Sequence, residues 1–481
     1  MEIRRPMTLS SAPEKMPHAV LGFISLLAIL LSWGTTNPLE STWTILILIL
    51  CLHWFLWKQQ PAILLYFLIL PFIEGHTSVL QANQEGLLLN ELFPETGRKT
   101  FWLASMGFLS VMLGLRTALR RRWQETTFSI DSLRAAAEEI DQRKLILAIL
   151  LAHALASALA RFIPYGSSAQ QFETYIYSIP DALTLAFSIH FFLTRQRPLL
   201  VLGLFLYLFL TSFYSYFAHW RMPIVIALMG YATSLNQFRS KELLRLAPAA
   251  IPVLLLVLTW QAVKEDYRSF LSGGGNDQAL RVTQTAAISK FSELASESFL
   301  SNSALGDEVI SSTYERAGYL EYFSAAVGKV PEEIPHQQGS LTRESLEFSL
   351  IPRILNPNKG VKNDREKVER FTDYSFGGAY NISSFSLGHY CEAYIDWGPR
   401  GMMVHLFLYG YLGGWLYLLI KRRTQSLNPL LSLGLMYAIL IPWGTFQGDL
   451  VTISGRLFWG CICQLILFTP AYTRFNRLMT N

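Results

Sequence analysis

Apolar runs of membrane-crossing length fill both ends of this 481-residue chain, and one long polar segment, from about Lys264 to Arg400, separates them. A helix that crosses a bilayer needs about 20 mostly apolar residues. Runs of that kind begin near His18, Ser41, Pro61, Thr100, Lys144, Ser178, Pro198, Met222, Ala247, Pro399, Asn428 and Val451; those at Pro61 and Met222 are short. The pattern predicts an all-α polytopic membrane protein with about twelve transmembrane helices. About nine would lie in residues 1–263 and about three in 399–481, on either side of a large, partly helical loop over 264–398.

Composition agrees. The chain is 51% hydrophobic and only 16% charged, whereas soluble proteins are nearer about 25% charged. A net charge of +5 suits contact with anionic lipid and a positive-inside bias, not nucleic acid. Cys51, Cys461 and Cys463 stand in apolar runs and Cys391 alone in the loop, so neither a disulfide framework nor a cysteine metal site is expected. The polar start, Met1 to Pro17, precedes an apolar run with no small-residue cleavage site, which reads as a retained signal-anchor. Lys and Arg crowd one alternate set of short loops, including Arg120-Arg121-Arg122, Arg195, Arg197 and Lys421-Arg422-Arg423. That set would be cytoplasmic, with both termini inside and the large loop outside.

The loop has internal order. Ile288, Phe291, Ala295 and Phe299 fall on one helical face, and a second helical pattern runs from about Asp307 to Val327. The loop is expected to fold onto the membrane-embedded part. Four constellations in or near it have the chemistry for a site. Arg221 stands at the outer end of a span beside Trp220, as an anion ligand or as an interfacial anchor. Arg268 ends the run Lys264-Glu265-Asp266-Tyr267-Arg268, which reads as a phosphate contact or as a solvated, internally paired cluster. Arg353 and Lys359 lie among Pro352 and Pro357; the guanidinium fork matches phosphate oxygens and the ammonium adds a point charge. His389, Glu392 and Asp396 precede the span at Pro399, where a carboxylate or imidazole can take a proton from a hydroxyl. Asp449 and Arg456 fit a mutual pair. His336, His389 and His405 have no metal-ligand spacing, and no Gly-rich nucleotide loop occurs.

At these residues the chain resembles the bacterial O-antigen polymerase (Wzy-type), or oligosaccharide repeat-unit polymerase, family. The likeness is carried by Gly339 through Arg353, Pro357 and Lys359, then by Glu392-Ala393-Tyr394-Ile395-Asp396-Trp397-Gly398 and Gly401 leading into a span with Gly410, Gly413 and Gly414. His219-Trp220-Arg221 is similar to an element opening an earlier helix of these polymerases and of O-antigen ligases. Asp364 stands eleven residues after Arg353, where some members have Gly.

The resemblance implies a GT-C-like helical fold in the bacterial inner membrane, with the large loop periplasmic. It implies an enzyme that joins oligosaccharide repeats carried on undecaprenyl diphosphate, without cofactor or metal. Its implied partners are the lipid-linked oligosaccharide, membrane lipids, a chain-length regulator and a flippase. Arg221, Arg268 and Arg353, supported by Lys359, would then hold the diphosphate. Glu392, or next His389, or next Asp396, would be the base, and Tyr394 and Trp397 would contact sugar. The rivals are an O-antigen ligase-like or other lipid-linked sugar transferase, and a non-catalytic flippase or transporter of the same lipid-linked glycans.

Overall fold

The computed structural model describes residues 18–57, 61–120, 128–162, 170–216, 219–235, 240–274, 280–301, 306–351, 355–356, 358–360, 364–374, 386–467 and 469–480. The elements are helices, and no strand occurs among the described residues.

Among the described residues, four helices are long and apolar enough to cross a membrane: Ala62–Glu85, Gly97–Arg120, Gln142–Phe162 (over Gln142–Leu159) and His389–Arg423. Counting Leu450–Ile466 and Thr469–Met479 as one bent span makes five. This is well short of the twelve that the apolar runs predict. Some of the apolar runs form short helices: Pro198–Ser212 has 15 residues and Pro429–Leu440 has 12. At about 1.5 Å per residue the latter reaches only ~18 Å, against a hydrocarbon core of about 30 Å. Pro429–Leu440 is also wholly buried by its neighbours, so its apolarity serves the protein core. Gln142–Phe162 differs. Leu147, Leu151 and Leu155 are each more than half exposed, and their four-residue spacing makes one apolar stripe, the signature of an interacting or lipid-facing surface.

The centre of the bundle is the crossing of Gly97–Arg120 with His389–Arg423. A Cβ on Gly114 would overlap the Phe407 carbonyl, and one on Gly410 would overlap that of Val111, so the two backbones touch where both sequences place their smallest residue. The second helix is kinked at Gly398, at φ 65 and ψ −177, just ahead of Pro399. Residues 389–397 therefore take their own course and are almost all buried.

The polar segment packs onto this bundle. The Tyr319 backbone N–H donates to the Glu74 carbonyl, 3.0 Å. Thr96 Oγ1 lies 2.7 Å from Ser324 Oγ, and Tyr390 donates to the Pro71 carbonyl, 3.2 Å. The helix anticipated from Asp307 to Val327 is two, Asp307–Ala317 and Leu320–Lys329. They part at Gly318, where a Cβ would stand 2.9 Å from Ser78 Oγ. Gln284–Leu300 forms as expected, but its apolar face is uneven. Phe291 enters an aromatic cluster with Phe213 and Trp260, while Phe299 is exposed.

Candidate functional site

The carboxylates of the 389–397 stretch are saturated with partners. Glu392, 3% exposed, receives Lys367 Nζ on Oε1 at 3.0 Å and the Leu450 backbone N–H on Oε2 at 2.7 Å. Lys367 Nζ also stands 3.7 Å from Asp449 Oδ2. Asp449 Oδ1 accepts from the Thr452 N–H at 3.0 Å, capping the helix Leu450–Ile462. Asp449 therefore pairs with Lys367, and its charge also acts on Arg456, the partner that the sequence suggests. Burial alone would lower the Lys367 pKa, but the charges of Glu392 and then Asp449 outweigh it and hold the ammonium above the ordinary lysine range. One cation thus ties together the helices Asp364–Phe371, His389–Arg423 and Leu450–Ile462.

Asp396 is equally committed. Its Oδ1 accepts from the Leu341 N–H at 3.0 Å, and its Oδ2 accepts from the Thr342 N–H at 2.7 Å and the Thr342 hydroxyl at 2.6 Å. It satisfies the amino end of the helix Ser340–Leu350, whose own cap residue, Gly339, has no side chain to do so. Tyr394, expected to contact sugar, is in the core: it is 1% exposed, donates to the Val330 carbonyl at 2.8 Å and packs edge-on to Phe323 and His336. Trp397 is exposed but rests on Gly339 and Gly401. His389 is enclosed by Tyr409, Phe446 and His405, and neither ring nitrogen has a hydrogen-bond partner among the described residues. Lys359 donates to the carbonyls of Ile351, at 2.7 Å, and Phe348. It closes the carboxyl end of Ser340–Leu350, which commits two of its three donors. Arg353 and its flanking prolines lie outside the described residues.

The other cations meet from four helices. Trp220, fully buried and stacked on Phe213, fixes the start of Arg221–Ser234 and so places Arg221. Tyr267, whose hydroxyl donates to the Phe213 carbonyl at 2.8 Å, fixes the turn carrying Lys264 and Arg268. Arg268 Nε donates to the Tyr216 carbonyl at 3.1 Å, and its guanidinium lies over the Tyr216 ring. Arg316, in the last turn of Asp307–Ala317, is their common neighbour. After burial, the Arg316 charge is the next cause lowering the pKa of Arg221, of Arg268 and of Lys264, which is pulled down to about 8. His219 is lowered by burial, then by Arg221 and Arg456. The side chains of Arg221, Arg316 and Arg456 make no hydrogen bond or ion pair among the described residues. Arg316 lines a cavity of about 490 Å³ with the carboxylates Glu315, Glu321, Asp364 and Asp449, together with Tyr319 and Gln447.

Sequence reading passed over Arg316, because Glu315 beside it makes the helix look like an ordinary solvated one. It also passed over Glu74. That carboxyl, in the apolar helix Ala62–Glu85, is buried. It receives the backbone N–H of Gln447 and has one oxygen without a partner among the described residues. A lone carboxylate in an apolar run was the available signal.

Together these features define an all-helical protein with membrane-length helices and a cavity lined by Arg316 and four carboxylates. A model described as a domain of unknown function (DUF8712) matches residues 99–424, and the chain belongs to that family. No curated protein and no solved structure matches it. The matched stretch contains Arg221, Lys264, Arg268, Arg316, Lys367 and Glu392 and ends before Asp449 and Arg456.

Proposed function

We propose that this protein transfers a glycosyl chain from a polyprenyl-diphosphate carrier onto a saccharide hydroxyl, lengthening a lipid-linked repeat-unit glycan. What supports the reading is one observation: Arg316, whose charge acts on Arg221, Arg268 and Lys264 of other helices, lines a cavity that also holds the carboxylates Glu315, Glu321, Asp364 and Asp449. Cations that act on one another repel, and an anion of more than one charge relieves that repulsion. Arg316, Arg221 and Arg268, with Lys264, would bind the diphosphate, and Arg353 and Lys359 would join them as the resemblance implies.

In the transfer, the acceptor O–H gives up its proton, the oxygen bonds to the anomeric carbon, and the bond from that carbon to the diphosphate breaks. The electron pair leaves on the diphosphate oxygen, where the arginines favour the growing charge most as the bond opens. Asp449, which lines the cavity, is the best-placed acceptor for the proton. Glu392 stands behind it across Lys367, His389 is the next candidate, and Asp396 acts by holding the helix Ser340–Leu350. The bacterial inner membrane, cytoplasmic termini, a GT-C-like arrangement and partnership with a flippase and chain-length regulator all belong to this reading.

The test is to incubate the purified protein with lipid-linked repeats. A ladder of lengthened products, lost in Arg316→Ala and Arg221→Ala, is the expected result. Addition of a glycan once to a different acceptor would make it a ligase-like transferase. Movement of repeats between leaflets without lengthening would make it a transporter.

A further inference from the structure

A second cavity, of about 370 Å³, adjoins the first and differs from it in having no cation in its described lining. The two share Glu315, Gly318 and Glu321, so the chain from 315 to 321 is a wall between them. Arg316 lines only the first. The described lining of the second contains Glu95, Glu315 and Glu321 and no Lys, Arg or His. Its remaining polar lining includes Gln81, Thr96 and Tyr374, whose hydroxyl donates to Glu321. Phe93 and Leu320 supply apolar surface.

We infer that this second cavity is a saccharide subsite for a neutral or amine-bearing sugar unit, and that it holds the acceptor end of the glycan next to the diphosphate cavity. The inference rests on the glycosyl-transfer reading for the word acceptor, but not for the binding itself. The volume falls within the ~300–1,000 Å³ of small-molecule sites. Carboxylates without a cation among them repel phosphate and uronic acids, and they accept hydrogen bonds from sugar hydroxyls and, more strongly, from an ammonium. Crowding is already felt: burial, then Glu321 and Glu85, raise the Glu315 pKa, with Lys264 opposing. A donor-rich ligand relieves that crowding and an anion worsens it. Both cavities hold carboxylates and only the first also holds an arginine, so the diphosphate is assigned to the cavity with Arg316 and the hydroxyl-bearing sugar to the one without a cation.

The test uses the full-length protein in lipid nanodiscs and three soluble disaccharides: the glucosamine dimer (cationic), its N-acetylated form (neutral) and a hyaluronan disaccharide (anionic). Saturable binding is followed by saturation-transfer NMR. The expected order is cationic, then neutral, with no binding of the anion. Gly328 lines this cavity alone, and a Cβ there would meet Thr96 Cγ2 at an ordinary 3.7 Å, so Gly328→Leu fills the space without a backbone clash and should abolish binding. Glu321→Gln should weaken the cationic probe roughly tenfold, the loss expected for one charge-assisted hydrogen bond. Arg316→Ala should leave all three unchanged.

Preference for the anionic probe, binding untouched by both cavity variants, or no saturable binding of any probe overturns the inference. If Gly328→Leu does not fold, Glu321→Gln decides. A protein that binds the glucosamine dimer here yet lengthens no lipid-linked repeat keeps this subsite and loses the transferase reading. One that lengthens repeats undiminished in Gly328→Leu does the reverse.

Discussion

Glu392 and Arg316 are both charged residues contributed by the long polar segment, and they illustrate two uses of charge. Glu392 is sealed: Lys367 and a backbone amide take both its oxygens, and Asp449 shares the same lysine. Arg316 is exposed, without a hydrogen-bonded or ion-paired partner for its side chain among the described residues, and its charge acts on Arg221, Lys264 and Arg268. A buried charge with a full set of partners holds a structure together, and its removal is felt as instability. An exposed cation without a bonded partner contributes little to stability and leaves its hydrogen-bonding capacity for a ligand.

That contrast is easiest to break at Lys367. Lys367→Met should leave Glu392 and Asp449 as neighbouring buried carboxylates and cost about 3–5 kcal/mol, the range for removing one partner of a buried pair. Thermal unfolding in detergent reads this, and adding Glu392→Gln should restore part of the loss. No such rescue would mean that Lys367 is not the tie between the three helices.

Next in size, Arg221→Ala with Arg316→Ala should lower pyrophosphate affinity roughly 100-fold, two charged hydrogen bonds' worth. The melting temperature should stay that of the parent, as for exposed side chains generally. A large drop in melting temperature instead would place these arginines on the structural side of the comparison.

Asp396→Ala should cost about 1–2 kcal/mol, the upper range for a lost helix cap, with hydrogen exchange rising first in Ser340–Leu350.

The smallest effects come from pH. Lys264 titrates at about 8 in the unliganded protein. A bound polyanion would raise that value, so pyrophosphate affinity should be full below pH 8 and fall a few-fold above it. Isothermal titration at pH 7 and pH 9 tests this. Lys367 behaves differently: its pKa stands above the ordinary lysine range. The stability it confers is complete below that range and disappears only as pH rises through the raised value. Loss of stability between pH 7 and pH 9 would contradict this assignment.

The sequence was readable where local pattern decides the outcome. The amphipathic helix Gln284–Leu300, the break at Gly398-Pro399 and the close-packing glycines of the helix that follows are all visible in residue order. Arg221 and Arg268 stood out as cations at the ends of apolar runs. The run at Asn428 was read as a span, because apolarity is demanded equally by lipid and by a protein interior, and Pro429–Leu440 is buried in the latter. Tyr394 and Asp396 were read as facing a ligand because they are polar and near a helix start. The fold turns them inward, onto Val330 and onto the end of Ser340–Leu350.

What residue order alone determined is the class of molecule: helical, rich in apolar segments, with one folded polar insertion carrying mixed charge. Which charges are spent and which are left over was decided only in three dimensions. Lys367 and Glu392 are 25 positions apart, and Asp449 is another 57 beyond. Arg221 and Arg316 come from helices separated by most of the insertion's first half. Electrostatic energy depends on distance through space, so a row of letters shows the charges but not their partners, and the choice between structural tie and ligand site is made when the helices pack.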